Sequence, residues 1–199
     1  IFFIGQSSIL FLGVLSTSDQ VGLYRIAQRG AELVPFGLAA VNMAIAPTIS
    51  KLYTEGNLKK LQRVLTSSAR AIQIFSLPAA LTMIILGPWL VPFVYGQEYA
   101  LSVYPLIILC VGQLINVTLG SVGVLLNMTG HEKDTAKGMA IGAGLNVMLN
   151  FVLIPIWGIM GAAIATSVSL VTWNGLLAFW AVKRTGLYTT PFGVPSYLK

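Results

Sequence analysis

A chain of 199 residues that is 56% hydrophobic, 9% charged and +6 in net charge departs far from soluble domains, in which about a quarter of residues carry charge. Its apolar runs are continuous rather than alternating, which argues against a transmembrane barrel and leaves helices, which satisfy their own backbone in lipid. The basic excess gathers between apolar segments with no aromatic-interleaved patch, so it marks membrane topology and calls for no nucleic acid. The expected fold class is an all-α membrane protein, a six-transmembrane-helix bundle.

A span needs about 20 apolar residues to cross a hydrocarbon core of about 30 Å. The first expected span, 1–16, begins at Ile1 and is short. It has no basic leader and no small-residue cleavage site, so it does not read as a signal peptide; the expectation is a fragment cut in or just before a span, with an upstream portion missing. The second, 21–49, is apolar but carries Arg25, Arg29 and Glu32. A basic connection, 50–71, follows. Asn57 is placed to cap a helix in which Leu58, Leu61 and Leu65 share one face, so this stretch reads either as an amphipathic helix lying on the cytoplasmic leaflet or as a plain connector. Further spans are expected at 72–95, 101–127, 138–154 and 158–182, and 186–199 is expected to be a cytoplasmic tail. Trp89, Tyr95, Tyr99 and Tyr104 crowd one end of a hairpin, as in an aromatic belt. Pro35, Pro47, Pro78, Pro88, Pro92 and Pro105 lie in or near spans, where each can kink a helix. Gly138 and Gly142, and Gly161, Ala165 and Ser169, recur at four-residue spacing suited to close helix contact.

Ten of the 12 Lys and Arg residues fall in 50–71, in 129–137 and from Lys183 to the end of the chain. The turns at 16–20, 96–100 and 155–158 hold Asp19 and Glu98 and no basic residue. Six crossings put all ten cations on one side, which the positive-inside rule assigns to the cytoplasm.

The sharpest polar feature is Arg25, Arg29 and Glu32, spaced to share a helix face with Gln28 beside them and with Phe36, Ala39 and Met43 continuing the stripe. At 1.5 Å per residue from Val21, Arg29 falls about 12 Å below the outer boundary and Glu32 about 17 Å. A central Arg costs at least about 2.5–3.5 kcal/mol on insertion scales. Two readings account for it: an Arg29–Glu32 pair with Arg25 snorkelling outward, or a net-positive wall of a polar cavity suited to a phosphate-bearing substrate. A second stripe, Gln113, Asn116, Gly120 and Asn127, and a pair, Asn146 and Asn150, can bond across helices or line a substrate path. Cys110 sits inside a span and has no intrachain partner. The single His131 lies in a connection, no ligand spacing suggests a metal, and no nucleotide-binding motif appears, so no cofactor is expected.

The run NVMLNFVLIPIWGIMGAAIATS (146–167) resembles the N-x-x-L-N-x-x-L-I-P-x-x-G-x-x-G-A-A-x-A-T signature of bacterial polysaccharide flippases. FVYGQEYALSVYPLIIL (93–109), LLNMTGHEKDTAKG (125–138), VGLYRIAQRGAEL (21–33) and the basic run 57–81 are similar, in order, to further segments of the same family, the lipid-linked oligosaccharide flippases of the multidrug/oligosaccharidyl-lipid/polysaccharide exporter superfamily. The resemblance implies two six-helix lobes around a central cavity, working by alternating access in a bacterial inner membrane, with this chain as the C-terminal lobe. It implies that the helix of Arg25 and Arg29 faces the cavity, with Gln28, Glu32, Gln113 and Asn116 as further lining residues. The implied partners are a polyprenyl-pyrophosphate-linked oligosaccharide, membrane lipids and a missing N-terminal lobe, and no enzymatic activity is implied. The alternatives are a multidrug or small-solute antiporter of the same superfamily, which would use carboxylates for cation coupling, and a non-transporting structural subunit.

Overall fold

The computed structural model describes residues 2–193, with side chains described from Gly5 onward; Lys199 and the end of the expected tail lie outside the described residues. Among these residues the chain is helical without a strand: α1 (Phe2–Leu15), α2 (Ser18–Ala31), α3 (Phe36–Thr54), α4 (Leu58–Tyr95), a short 3-10 turn (Gln97–Ser102), α5 (Val103–Leu119), α6 (Val122–Met128) and α7 (Glu132–Thr185).

The helices do not map one to one onto the expected spans. The 21–49 segment is a broken span, with α2 and α3 bent by 51°. Pro35 explains the break. It offers no N–H to the turn before it and disfavours a helical Val34, so α2 stops and α3 restarts from Pro35. Pro47, Pro78, Pro88 and Pro92 sit inside helices that run on through them. The 101–127 segment is likewise divided into α5 and α6 at Gly120, whose φ of 75° closes the turn.

α7 contains 54 residues, about 81 Å if straight and far more than one bilayer. It does not run straight. Gly158 has φ 55° and ψ −130°, outside the helical region. The chain turns back there, so that Arg184 Nε donates to Asp134 Oδ2 at 2.8 Å across a sequence gap of 50 residues. α7 is therefore a hairpin of two antiparallel arms, 132–157 and 159–185, which, with the Gly158 turn between them, contain the apolar stretches 138–154 and 158–182. The small-residue stripes form its seam: a side chain at Gly138 would run into Leu177, and one at Gly142 into the Trp173 side chain. By length and apolarity, α4, the stretch Gln97–Met128 and α7 qualify as crossings, the bent α2–α3 pair adds another, and α1 is a shorter apolar helix. With α7 counted as two arms, the described residues hold five such segments and the shorter α1, roughly consistent with a six-helix bundle.

One expectation is corrected. The basic connection contains no separate helix resting on a leaflet. Asn57 does cap a helix, its Oδ1 accepting from the Lys60 N–H at 3.2 Å, but that helix is α4 itself, 38 residues long and continuous through Tyr95. Leu61 and Leu65 are buried, not against lipid headgroups but in a cluster with Leu125, Leu126, Trp173 and Leu177. A second cluster packs Leu12, Tyr24, Ala27, Ala31, Leu106, Leu109, Ile154 and Ala162 toward the opposite end of the bundle. Lipid tails are as apolar as these side chains, so close packing and polar bonds, rather than escape from water, hold such helices together.

After α7 the chain turns at Gly186 and straps across the basic end. Gln62 exchanges two hydrogen bonds with the Tyr188 backbone, at 2.7 and 2.9 Å. Thr189 Oγ1 donates to the Leu119 carbonyl at 2.6 Å, and Arg70 Nε to the Pro191 carbonyl at 3.2 Å. The strap lies so close to the α5–α6 break that a Cβ at Gly120 would collide with the Thr189 carbonyl oxygen.

Candidate functional site

α2 positions the charged stripe. Tyr24, Ala27 and Ala31 form its buried face, and the 3.6-residue period turns Arg25, Arg29 and Glu32 to the opposite, open side. The bend after Ala31 does not hide the continuation: Phe36, Ala39 and Met43 on α3 are also exposed. A single open strip thus runs from charged to apolar along the broken span.

Arg29 Nη1 lies 3.5 Å from Glu32 Oε2, with the two side chains 81% and 45% exposed. The expected Arg29–Glu32 pair is present, and it stands on an exposed face of the chain. Gln28, half-buried at the α1 contact, donates from Nε2 to Glu32 Oε1 at 3.3 Å. Its side chain packs where α1 has Gly5, at which a Cβ would come within 2.5 Å of the Gln28 amide nitrogen. Glu32 is thus held by Arg29 and Gln28 together, and Arg25 has no salt-bridge partner among the described residues. The strip carries two cations against one carboxylate.

Gln113 and Asn116 do not join it. Both are buried, and Asn116 Nδ2 donates to Gln113 Oε1 at 3.1 Å. They bond to each other inside α5, which satisfies part of each amide without exposing either in this chain.

A buried polar junction was only half legible beforehand. Asn150 Nδ2 donates to Asn146 Oδ1 at 2.8 Å and to Ser8 Oγ at 3.0 Å. Ser7 also donates to Asn146 Oδ1. Thr166 bonds both Ser8 and Tyr24 at 2.8 Å. Four segments, α1, α2 and both arms of α7, therefore meet on hydroxyls and amides. The four-residue spacing marks Asn146 and Asn150 as a pair, while their partners Ser7, Ser8, Tyr24 and Thr166 are signalled only by hydroxyls within otherwise apolar runs.

Two features mark the ends of the bundle. At the basic end Asp134 pairs with Arg184, whose hydrogen bond holds the Asp134 carboxyl below its ordinary pKa. At the other end Asp19 and Glu98 border an open recess of about 400 Å³. No group of His, Cys, Asp and Glu among the described residues is arranged to hold a metal.

Fold and surface together define the class: a polytopic, all-α membrane bundle with a charged strip along one broken span, the fold of a transporter lobe. The solved structure of an outward-facing multidrug resistance MATE family transporter of the MOP superfamily superposes with a TM-score of 0.75 at 22% identity, over 96% of this chain and 45% of that one. The inward-facing form of such a transporter superposes with a TM-score of 0.67 over 88% of this chain. The chain belongs to the polysaccharide biosynthesis protein family, whose model matches residues 1–104. It is similar to the probable low-salt glycan biosynthesis flippase Agl15 of Haloferax volcanii (28% identity over 84% of this chain and 36% of that protein). It is also similar to the probable flippase AglR of the same organism (29%, over 88% and 37%) and to the lipid II flippase MurJ of Bacillus subtilis (23%, over 87% and 32%). The chain spans about a third of the length of these relatives.

Proposed function

We propose that this chain is one lobe of a membrane flippase that moves a lipid-linked oligosaccharide precursor across the cytoplasmic membrane by alternating access. The observation that carries the reading is the open α2 strip, on which Arg25 and Arg29 outnumber Glu32 within a membrane-spanning segment. Buried in hydrocarbon, such a strip would be expensive. Facing a second lobe across a water-filled cavity, it becomes a cationic wall for a pyrophosphate. The guanidinium fork of Arg29 suits two phosphate oxygens at once, while Gln28 and Glu32 hold its position. A hydrated, charged head cannot cross hydrocarbon unaided. A laterally open cavity would hold the head while the lipid chain stays in the bilayer, and rocking of the two lobes would carry the head across. The family membership and the flippases among the similar proteins support this reading. A multidrug antiporter would be better served by carboxylates within the cavity, and Glu32, the one acid on the strip, is already engaged by Arg29 and Gln28.

The experiment is reconstitution of the full-length protein in vesicles with a fluorescent polyprenyl-pyrophosphate-linked oligosaccharide in one leaflet. Acceleration of its appearance in the other leaflet is the expected result. Transport of hydrophobic cations with no movement of the lipid-linked glycan would establish the antiporter instead.

A further inference from the structure

Two ion pairs of this chain differ in a way that separates holding a fold from serving a site. At the basic end Arg184 Nε donates to Asp134 Oδ2 at 2.8 Å, and the Asp134 side chain is only 10% exposed. That length is ordinary for a charge-assisted hydrogen bond, about 2.7–2.9 Å, and the pair closes a hairpin. On α2, Arg29 Nη1 stands 3.5 Å from Glu32 Oε2, with the two side chains 81% and 45% exposed. Gln28 Nε2 reaches the other carboxylate oxygen at 3.3 Å. Both contacts are long, and both lie on the open face.

Glu32 is also ill placed for the stability of its own helix. It caps the C-terminal end of α2, where unpaired carbonyls favour a cation and disfavour an anion. Arg29, in the last turn, meets that preference without a carboxylate beside it. From Glu32 onward the backbone loosens: Leu33, Val34 and Phe36 donate to carbonyls three residues back at 3.2–3.4 Å. Glu32 thus brings its charge to Arg29 from a weakly bonded bend.

We infer that Glu32 is a displaceable counter-ion, which occupies Arg29 while the strip is empty and yields it to a phosphate of the substrate. The inference rests on the flippase reading above and adds how that site lets its substrate go. Two arginines facing a pyrophosphate with no competing anion would grip it on both sides of the membrane, and binding that is equally tight in every state speeds nothing. A built-in carboxylate opposes that grip. It keeps the guanidinium in place before the head arrives, and it returns to Arg29 as the phosphate departs, which shortens the stay of the head. On arrival the exchange favours phosphate, because a two-pronged guanidinium–phosphate contact outcompetes one exposed contact at 3.5 Å. Gln28 keeps Glu32 near while Arg29 is engaged, since its amide is wedged against α1 at Gly5. Arg25 has no salt-bridge partner among the described residues and meets the head without such an exchange.

Fixing Arg29 for the substrate and competing for it forecast opposite changes when the Glu32 charge is removed. The test uses the full-length protein, with binding of undecaprenyl pyrophosphate measured in detergent and transport of the fluorescent lipid-linked oligosaccharide measured in vesicles. Glu32→Gln keeps the shape of the side chain and leaves Gln28 an oxygen to donate to. It should tighten undecaprenyl pyrophosphate binding about three- to tenfold, the combined effect of one exposed ion pair and the removed repulsion between carboxylate and phosphate. In vesicles it should lower both the half-saturating concentration and the maximal rate. Glu32→Ala on the same open face carries the same forecast should the first variant accumulate poorly. In an Arg29→Ala background, Glu32→Gln should lose most of its effect on binding. Weaker binding in Glu32→Gln overturns the inference and makes Glu32 a positioning residue. Unchanged binding and rate overturn it too, and if the parent still moves the glycan, the flippase reading stands without it. A gain in affinity that persists undiminished without Arg29 also overturns it, because the competition then does not run through Arg29. Tighter binding with no glycan movement by the parent supports the exchange and sinks the flippase reading. No binding of undecaprenyl pyrophosphate by parent or variant sinks the phosphate-binding wall and this inference together.

Discussion

Arg29 and Glu32 meet at 3.5 Å on an open helix face, a setting in which an ion pair contributes no more than about 1 kcal/mol to folding. Stability alone therefore gives Arg29 little reason to be there. Arg29→Ala in the full-length protein is expected to lower glycan export at least tenfold while membrane abundance stays near normal, measured by surface glycan and immunoblot in a flippase-null strain. Arg29→Lys should keep part of the activity, because the charge remains but the two-pronged geometry is lost. Arg25→Ala should cost less, since it lies one turn nearer the outer boundary and can extend to the interface. If Arg29 only neutralises Glu32, the double change with Glu32→Ala restores export; we expect no such recovery. Asp134 gives a prediction in pH. Its folded pKa lies below the unfolded value of about 3.9 because Arg184 stabilises the carboxylate. Its contribution to stability is therefore fully present above about pH 5 and is lost as pH falls through the depressed folded value. The Tm gap between the parent and Asp134→Asn in detergent should be flat from pH 8 to 5 and should narrow below about pH 4. A gap that widens on acidification would contradict the pairing.

At the scale of elements, the architecture depends on where helices stop. Gly158 adopts a conformation that side-chain-bearing residues avoid, so Gly158→Ala is expected to destabilise the protein by about 1–3 kcal/mol, read as a lowered Tm. Gly120 meets two demands at once, a φ of 75° and the Thr189 carbonyl at its back. Gly120→Ala should therefore also loosen the strap, and limited proteolysis should cut 186–193 earlier than in the parent. The polar junction makes a milder forecast. Asn150→Ala removes donors to Ser8 and Asn146, and interhelical bonds of this kind are worth about 0.6 kcal/mol on average and about 1.7 at most. A Tm loss well beyond that range would give Asn150 a larger task than joining helices.

For the whole molecule, the placement of charge is the strongest constraint. Lys59, Lys60, Arg63, Lys133 and Arg184 gather at the end where α4 begins and α7 starts and finishes, and Asp19 and Glu98 mark the other end. Read by the positive-inside rule, the basic end is cytoplasmic. A membrane-impermeant thiol reagent added outside should label a Cys placed at Asp19 or Glu98, both exposed beside the open recess, and not one at Lys60 or Lys133. The native Cys110 is buried and should not interfere. The reverse pattern would invert the bundle.

Much of this was legible in the chain itself, because it depends on local properties. Long apolar runs can only be helices in lipid, so the all-α bundle follows from the residues alone. So does the division of the α7 region into two apolar spans, 138–154 and 158–182, separated at the Gly158 turn. The Asn57 cap is equally local, resting on one side chain, whereas Pro35 is one of six prolines able to kink a helix and only the folded chain shows that the span breaks there. What tertiary structure decided is which neighbour each helix face meets. The Leu58–Leu61–Leu65 stripe and the Gln113–Asn116 stripe each define a face, but periodicity is silent on whether that face meets protein, lipid or water. Leu61 and Leu65 meet Leu125 and Leu177, and Gln113 meets Asn116. Apolar faces are especially ambiguous here, because lipid and protein interior solvate a leucine almost alike. Only packing resolves them, and it left Arg25 and Arg29 on the open side.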